Sequence, residues 1–237
     1  MGATVTELRM LGGFSLVHEG MPVEVPECSQ RVLVYLGLRE RPQARHLVAA
    51  SLWPDSSEAR AAANLRSSLW RLPAPGGATL CETKGHAISI APCVRVDVRD
   101  IERFGWTLVK DHHPDAGSDT TCLFEELLPG WYDDFVLLER ERLAQLRLHF
   151  LDALATTLTE QGRHTEALDV ALRLVGADPL RERSQRALIG VFRAEGSFGQ
   201  AARQYEQYRV LLRETFGCDP SAELRDCAYG RLQAASA

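Results

Sequence analysis

The hydrophobic period of this chain changes twice between residues 7 and 90, and that sequence of periods constrains the fold more than any single motif. Residues 7 to 26 alternate like short strands: Leu8, Met10, Phe14, Leu16, Val23 and Val25 are apolar, with Gly12-Gly13, Gly20 and Pro22 as punctuation. This pattern predicts a small antiparallel sheet. From Ser29 the period becomes helical, in three runs: Val32, Leu33 and Leu36; then Leu47, Val48 and Leu52; then Ala62, Leu65, Leu69 and Leu72. Turns are expected near Pro42 and at Pro54-Asp55. Ser56 or Ser57 is placed to cap the third helix, which Pro73 and Pro75 stop. Thr79 to Ile90 returns to strand character around Lys84-Gly85-His86, a hairpin with glycine at its tip. Strands, three helices and a closing hairpin are the order of a winged helix.

A second pattern governs the C-terminal half, which reads as helical to its end. Gly162 and Gly196 are 34 residues apart, as are Leu158 and Phe192, Ala167 and Ala201, and Ala171 and Tyr205. A period of that length, with a small residue at the helix crossing and Asp-Pro at the close (Asp178-Pro179, Asp219-Pro220), marks tetratricopeptide-like helix pairs. The second Asp-Pro comes 41 residues after the first, so the closing helix of the second repeat is expected to run about two turns longer. The expected fold class is therefore mostly α with small β-sheets: a winged helix-turn-helix domain over residues 1–97, then a tetratricopeptide-like helical domain over 98–237. A polar, turn-rich loop is expected at 111–121.

On the third helix, Arg60, Asn64, Ser67 and Arg71 fall at i, i+4, i+7 and i+11, opposite the expected buried stripe, with Arg66 on the border. Arg and Asn are the types that read guanine and adenine edges bidentately in a major groove. A solvated helix surface carries the same types, so the position of the hairpin matters: following such a helix, Lys84 and His86 sit where a wing reaches phosphate or the minor groove. Arg41 and Arg45, near the start of the second helix, are further candidates for backbone contact.

The net charge of −5 looks unsuited to a nucleic-acid partner until it is divided. Residues 1 to 97 carry ten basic and nine acidic side chains, +1; residues 98 to 121 carry three and five, −2; residues 122 to 237 carry fourteen and eighteen, −4. The acidity lies outside the winged helix, and the third helix holds Arg60, Arg66 and Arg71 against Glu58. So modest a charge predicts weak binding by one protomer and a need for a pair on adjacent sites.

Other chemistry finds little support. The six cysteines (28, 81, 93, 122, 218 and 227) show no C-x-x-C spacing and are expected to be reduced; only Cys81 and Cys93, flanking the hairpin, are placed where they could meet. Asp111, His112, His113, Asp115 and Cys122 are metal-capable types, but adjacent histidines in a loop rarely converge on one ion, and no metal is expected. The chain has no G-x-x-x-x-G-K-[ST] and no nucleophile in a recognisable setting, so neither cofactor nor catalysis is expected. With no apolar run near 18 to 20 residues and no basic-then-apolar start, a cytoplasmic protein without membrane attachment is expected.

The segments "RVLVYLGLRE", Leu52-Trp53-Pro54, "ANLRSSLWRL", Val96-Asp97-Val98 and "LLPGWYDDFVLLERERL" resemble the Streptomyces antibiotic regulatory protein family over roughly residues 7 to 232. Members of that family join an OmpR-like winged helix to a bacterial transcriptional activation domain of tetratricopeptide-like helices. The resemblance implies a sequence-specific activator that binds direct repeats of double-stranded DNA as a pair of protomers and contacts RNA polymerase holoenzyme, often at a biosynthetic gene cluster. Carried over by position, Arg60, Asn64, Arg66, Ser67 and Arg71 would face DNA from the recognition helix and Lys84 and His86 from the wing. The turn Trp53-Pro54-Asp55-Ser56 corresponds to the polymerase-contacting loop, with Trp53 itself expected in the core. Two departures stand out: Leu72-Pro73-Ala74-Pro75 replaces the usual basic continuation of the helix, and Gly85-His86 replaces the usual Gly-Tyr of the wing. In the helical domain Arg140, Arg142, Arg147, Tyr205 and Tyr208 are candidates for a partner-binding concave surface, with space-filling the alternative for Tyr205, which stands where the preceding repeat has Ala171. A helical-repeat adaptor without DNA binding, and a metal- or ligand-gated sensor using the 111–121 loop, are the readings that compete.

Overall fold

The computed structural model describes residues 5–111 and 121–230. It is mostly helical with small sheets, as the period changes predict. In chain order the first half runs β1 (Thr6–Arg9), β2 (Ser15–His18), β3 (Met21–Pro22), α1 (Glu27–Gly37), β4 (Gln43–Ala44), α2 (Arg45–Leu52), α3 (Glu58–Trp70), β5 (Cys81–Lys84), β6 (Ala87–Ile90) and β7 (Val94–Val96). Then follow α4 (Asp97–Asp111), α5 (Asp134–Glu160), α6 (His164–Ala177), α7 (Glu182–Ala194), α8 (Phe198–Phe216) and α9 (Ala222–Tyr229). The expected 111–121 loop lies, apart from its end residues, outside the described residues, as do the side chains of Asp111 and Cys122.

The contacts divide the chain into two compact units: residues 1–104 with 119–144, and residues 105–118 with 145–237. The division falls inside α4 and α5.

In the first unit, β3, β2 and β1 form the antiparallel ribbon that the alternation predicts, with Leu8 paired to Leu16 and both buried. A fourth strand corrects that picture. β7 pairs with β1 in parallel, Thr6 with Val94 and Leu8 with Val96. Three residues are too few for an alternating pattern to register. A second sheet, in the order β4-β6-β5, makes the wing; β4 is only two residues long and leaves no periodic signal.

The helices fill the space under these sheets. α1 buries Val32, Leu33, Val34, Tyr35 and Leu36 in succession, so it is apolar around most of its circumference. α2 buries Val48, Ala49 and Leu52, whereas Leu47, expected to face inward, is half exposed. α3 is rotated from expectation: Ala61, Leu65 and Ser68 are its buried residues, and Ala62, Leu69 and Leu72 are half-buried flanks. The reason is a crossing made by small polar residues. The Ser29 hydroxyl of α1 donates to the Ser68 carbonyl at 2.8 Å, and both residues are buried. A hydrophobic count passes over serines that mark a close approach.

Three polar devices close this unit. The buried side of Asp97 accepts N–H bonds from Met10 at 2.7 Å and Leu11 at 2.9 Å, tying the end of β1 to the start of α4. Arg99 donates to the carbonyls of Leu36, Gly37 and Arg39, satisfying the open end of α1. Arg140 donates to the carbonyls of Leu127, Leu128 and Trp131. The 126–128 segment is itself bridged to the first sheet, with Gly12 N–H to Glu126 and Leu128 N–H to Met10, both at 2.8 Å. Arg31 pairs with Asp133, and Tyr35 meets Phe135 edge to face at 5.2 Å.

In the second unit α6 packs on α7, α7 on α8, and α9 on both α7 and α8. The 34-residue period has an exact backbone counterpart in its turns. Gly162 N–H bonds Thr159 and Arg163 N–H bonds Leu158; one period on, Gly196 N–H bonds Arg193 and Ser197 N–H bonds Phe192. Both glycines sit at positive φ, +73° and +76°, which side chains with a Cβ adopt only with strain. α8 has 19 residues against 14 in α6, a turn and a half longer rather than two. Tyr208, a partner-surface candidate, is instead core, and Tyr205 takes its space-filling alternative; both pack with Ile189, Ala201, Leu212, Leu224 and Ala228, and the Tyr208 hydroxyl donates to the Leu180 carbonyl. Tyr205, at the place of Ala171 one period earlier, also meets Tyr229 of α9 edge to face at 5.5 Å.

Candidate nucleic-acid interface

α3 is helical because its first half is alanine-rich, with Glu58 favourably placed in its first turn. Ser57 is the capping residue by position, but only its carbonyl takes part, accepting the Ala61 N–H at 2.8 Å; its side chain makes no cap bond. Burying Ala61, Leu65 and Ser68 turns Arg60, Ala63, Arg66, Ser67 and Trp70 outward. Arg60, Arg66, Ser67 and Arg71 are exposed as the spacing predicts, whereas Asn64 is half-buried.

Arg71 lies just past the last turn and is directed back to the start of α1. Burial opposes ionisation of the Cys28 thiol there, but hydrogen bonds from Ser29, Ser68 and Arg71 and the charge of Arg71 outweigh it and bring the thiol below its ordinary range.

The wing turn is fixed to the beginning of α2 by backbone bonding. β4 pairs with β6, Gln43 with Ile88 and Ala44 with Ala87, and the Arg45 N–H donates to the His86 carbonyl at 2.9 Å. The turn itself is Gly85-His86, with Gly85 at φ +59°. The result is a cleft lined by Arg45 and His46 from α2, Ala62, Leu65 and Arg66 from α3, and His86 from the wing. Three of the sequence-predicted residues, Arg45, Arg66 and His86, thus converge. His46 was missed, although its place beside Arg45 in the first turn of α2 was a usable signal. Lys84 is exposed one residue before the turn and pairs with Glu82 at 3.2 Å; Arg41 is exposed in the bend before β4 and does not line the cleft.

The arginines near the cleft lack anionic partners. Among the described residues, Arg41, Arg45, Arg60, Arg66 and Arg71 form no ion pair with a carboxylate. In the helical unit Arg163, Arg183, Arg186, Arg209, Arg213 and Arg225 are ion-paired, while Arg181, Arg193 and Arg203 donate to backbone carbonyls. Five arginines without carboxylate partners on α2, at α3 and its end, and in the bend before β4 leave a local, modest positive charge that a polyanion can neutralise.

The Trp53–Ser56 segment is a tight turn closed by Ser56 N–H to the Trp53 carbonyl at 3.1 Å. Pro54 and Asp55 are exposed, and Trp53, expected in the core, is half-buried. Trp70 is the feature that sequence reasoning missed: 86% of it is exposed. Of the arginines suggested for a partner surface, Arg140 is committed to the carbonyls of 127–131, Arg142 pairs with Glu102 and Glu139, and Arg147 is half-buried. No group of His, Cys, Asp or Glu among the described residues is arranged to hold a metal, and Cys28, Cys81, Cys93, Cys218 and Cys227 are free thiols. No helix among the described residues is long and apolar enough to cross a membrane.

Residues 123–229 match the bacterial transcriptional activator domain family. The chain is 32% identical over 109 residues to regulatory protein AfsR of Streptomyces coelicolor, an alignment covering 46% of this chain and 11% of that protein. It is 34% identical over 107 residues to AfsR of Streptomyces griseus, covering 45% and 11%. The chain thus spans about a tenth of the length of these relatives. Among solved structures, Mycobacterium tuberculosis EmbR in complex with a low affinity phosphopeptide has the same fold, with a TM-score of 0.76 at 19% identity over 95% of this chain and 64% of that one. A winged helix followed by helices that match the bacterial transcriptional activator domain over residues 123–229 is the combination that the resemblance to the Streptomyces antibiotic regulatory protein family implies.

Proposed function

We propose that the chain is a sequence-specific DNA-binding transcriptional activator. α3 enters the major groove with Arg60, Asn64, Arg66 and Ser67 toward base edges, Arg71 reaches phosphate once released from Cys28, and the wing residues Lys84 and His86 hold the flanking backbone with Arg41 and Arg45. The observation that carries this reading is the convergence of Arg45, His46, Arg66 and His86 around one cleft beside the exposed face of α3. Two protomers bind direct repeats, each adding to the other's effective concentration, because the positive field of one is modest. The turn Trp53-Pro54-Asp55-Ser56, with Pro54 and Asp55 exposed, is offered to RNA polymerase holoenzyme. The AfsR relatives, regulatory proteins of Streptomyces, support a regulatory role, and the family resemblance implies control of a secondary-metabolite biosynthetic cluster. On this reading the winged helix corresponds to residues 1–97 and the activation domain to 98–237, and the protein works in the cytoplasm without cofactor or catalysis.

Selection from a pool of random duplexes, followed by footprinting of the winning site, tests the proposal. A direct repeat spaced near one helical turn is expected. Replacing Arg60, Asn64 and Arg71 together by alanine is expected to lower affinity at that site by at least tenfold, since each bidentate base contact contributes about 1 to 3 kcal/mol. Unchanged binding by the triple variant removes α3 from the groove, and selection of no preferred site leaves the helical-repeat adaptor as the better account.

A further inference from the structure

Trp70 is the most exposed large apolar side chain among the described residues, at 86%. An indole offers some 150 to 250 Å² of surface, and leaving it in water forgoes the stabilisation that burial of an aromatic provides. Its position is not incidental. Trp70 lies three, four and seven residues after Ser67, Arg66 and Ala63, so these four exposed residues form one stripe along α3. Ala59 and Ala63 keep the earlier part of that face thin, which lets the helix backbone approach a surface closely, while Trp70 projects from the last turn.

We propose that Trp70 is a base-reading side chain, packing its indole on the C5-methyl of a thymine in the major groove. The inference rests on the reading of α3 as the helix that enters DNA. Charge selects the occupant: α3 and its end carry Arg60, Arg66 and Arg71 without carboxylate partners and only Glu58 as an acid, so the indole is set in a cationic surface that complements a duplex. Within the major groove the apolar feature is the thymine methyl. The indole N–H, a donor with no acceptor capacity, suits the acceptors that flank such methyls. Along the axis Trp70 stands about 10 Å beyond Ala63 and about 6 Å beyond Arg66, which is roughly three and two base-pair steps. Its thymine is therefore expected about two base pairs from the base that Arg66 addresses.

The test begins with the site that the wild-type chain selects from random duplexes. Each thymine is replaced in turn by deoxyuridine, which deletes one methyl and leaves base pairing intact. At one or two positions the wild-type protein is expected to lose about three- to fourfold in affinity, the effect of one unburied methyl. Trp70→Ala is expected to bind the parent site more weakly and to be insensitive to the same replacement, and Trp70→Phe to keep part of the sensitivity. No position sensitive to deoxyuridine, or the same sensitivity in wild type and Trp70→Ala, overturns the inference. So does a Trp70→Ala protein that binds the site normally but loses contact with polymerase or a second protomer, since Trp70 then faces protein. The deoxyuridine series on the wild type needs no variant, so it stands even if Trp70→Ala folds poorly. If the wild type selects no site, it is the DNA reading of α3 that fails, a different result from a selected site indifferent to Trp70.

Discussion

Replacing Gly105 by alanine sets two physical effects against each other within the helical unit. Gly105 is a buried residue in α4, where alanine is the better helix former by up to about 1 kcal/mol. A Cβ at that position, however, would stand 2.2, 2.3 and 2.4 Å from Cδ2, Cγ and Cε2 of Phe150. Carbon atoms in contact are normally about 3.5 to 4.0 Å apart, so the ring must move by more than 1 Å. Phe150 is fully buried and braced edge to face by Trp106 at 5.6 Å, so it has little space to enter. Overpacking of this kind costs about 1 to 3 kcal/mol, and the clash is severe enough to take the upper part of that range. The net expectation is a loss of about 1 to 2 kcal/mol. At 2 to 4 °C per kcal/mol for a chain of this size, the thermal midpoint followed by circular dichroism falls by roughly 2 to 8 °C. Phe150→Leu, which shortens the ring's reach, is expected to absorb much of the Gly105→Ala cost, so the double variant is less unstable than the sum of the singles. A Gly105→Ala protein that melts at or above the wild type, or singles that add independently, refutes the reasoning.

Two further expectations concern titration. Burial raises the Asp97 carboxyl above its ordinary value of 3.8, outweighing the stabilising N–H bonds from Leu11, Met10 and Val98. The fold therefore favours protonated Asp97, and the stability linked to that proton is present below about pH 4 and lost as pH rises through the raised value. Relative to Asp97→Asn, whose amide oxygen keeps the Met10 and Leu11 bonds, wild type is expected to lose stability as pH climbs from 4, measured by denaturant midpoints; parallel curves count against it. Burial also pushes the Cys81 thiol up to about 12, while Cys28 lies below its ordinary range. Alkylation at pH 8, read by mass spectrometry, is expected to reach Cys28 before Cys81 and to slow at Cys28 in Arg71→Ala; equal rates at the two thiols refute this.

The order of elements was legible because it is written in periodicity: an alternating run, three helical runs and a hairpin need no tertiary knowledge. What escaped was carried by residues outside any period. β4 and β7 are too short to alternate, yet one completes the wing and the other the first sheet. The rotation of α3 depends on Ser29 and Ser68, whose packing a hydrophobic pattern ignores, and it is that rotation which half-buries Asn64 and turns Trp70 outward. In the candidate interface, side chains on one helix were found from i+4 and i+7 spacing, whereas the wing strand that brings His86 across to Arg45 and His46 pairs over a separation no local spacing reports. Tyr208 misled for a related reason. Its hydroxyl looks like surface chemistry, but the carbonyl that it meets, at Leu180, lies a helix away.

The bridge from the first sheet to residues 126–128 carries a consequence for synthesis. Strand β1 cannot complete its pairing until residues 94–96 exist, and Met10 and Gly12 wait longer still, for Leu128 and Glu126. Tyr35 and Arg31, on the central helix, find Phe135 and Asp133 later again. The part of the chain that would be made first is thus among the last to be finished. A chain cut near residue 97 exposes a sheet edge and an aromatic that residues 126–135 cover, so the winged-helix part is not a cassette to be freed at that point without losing the wall against which it packs.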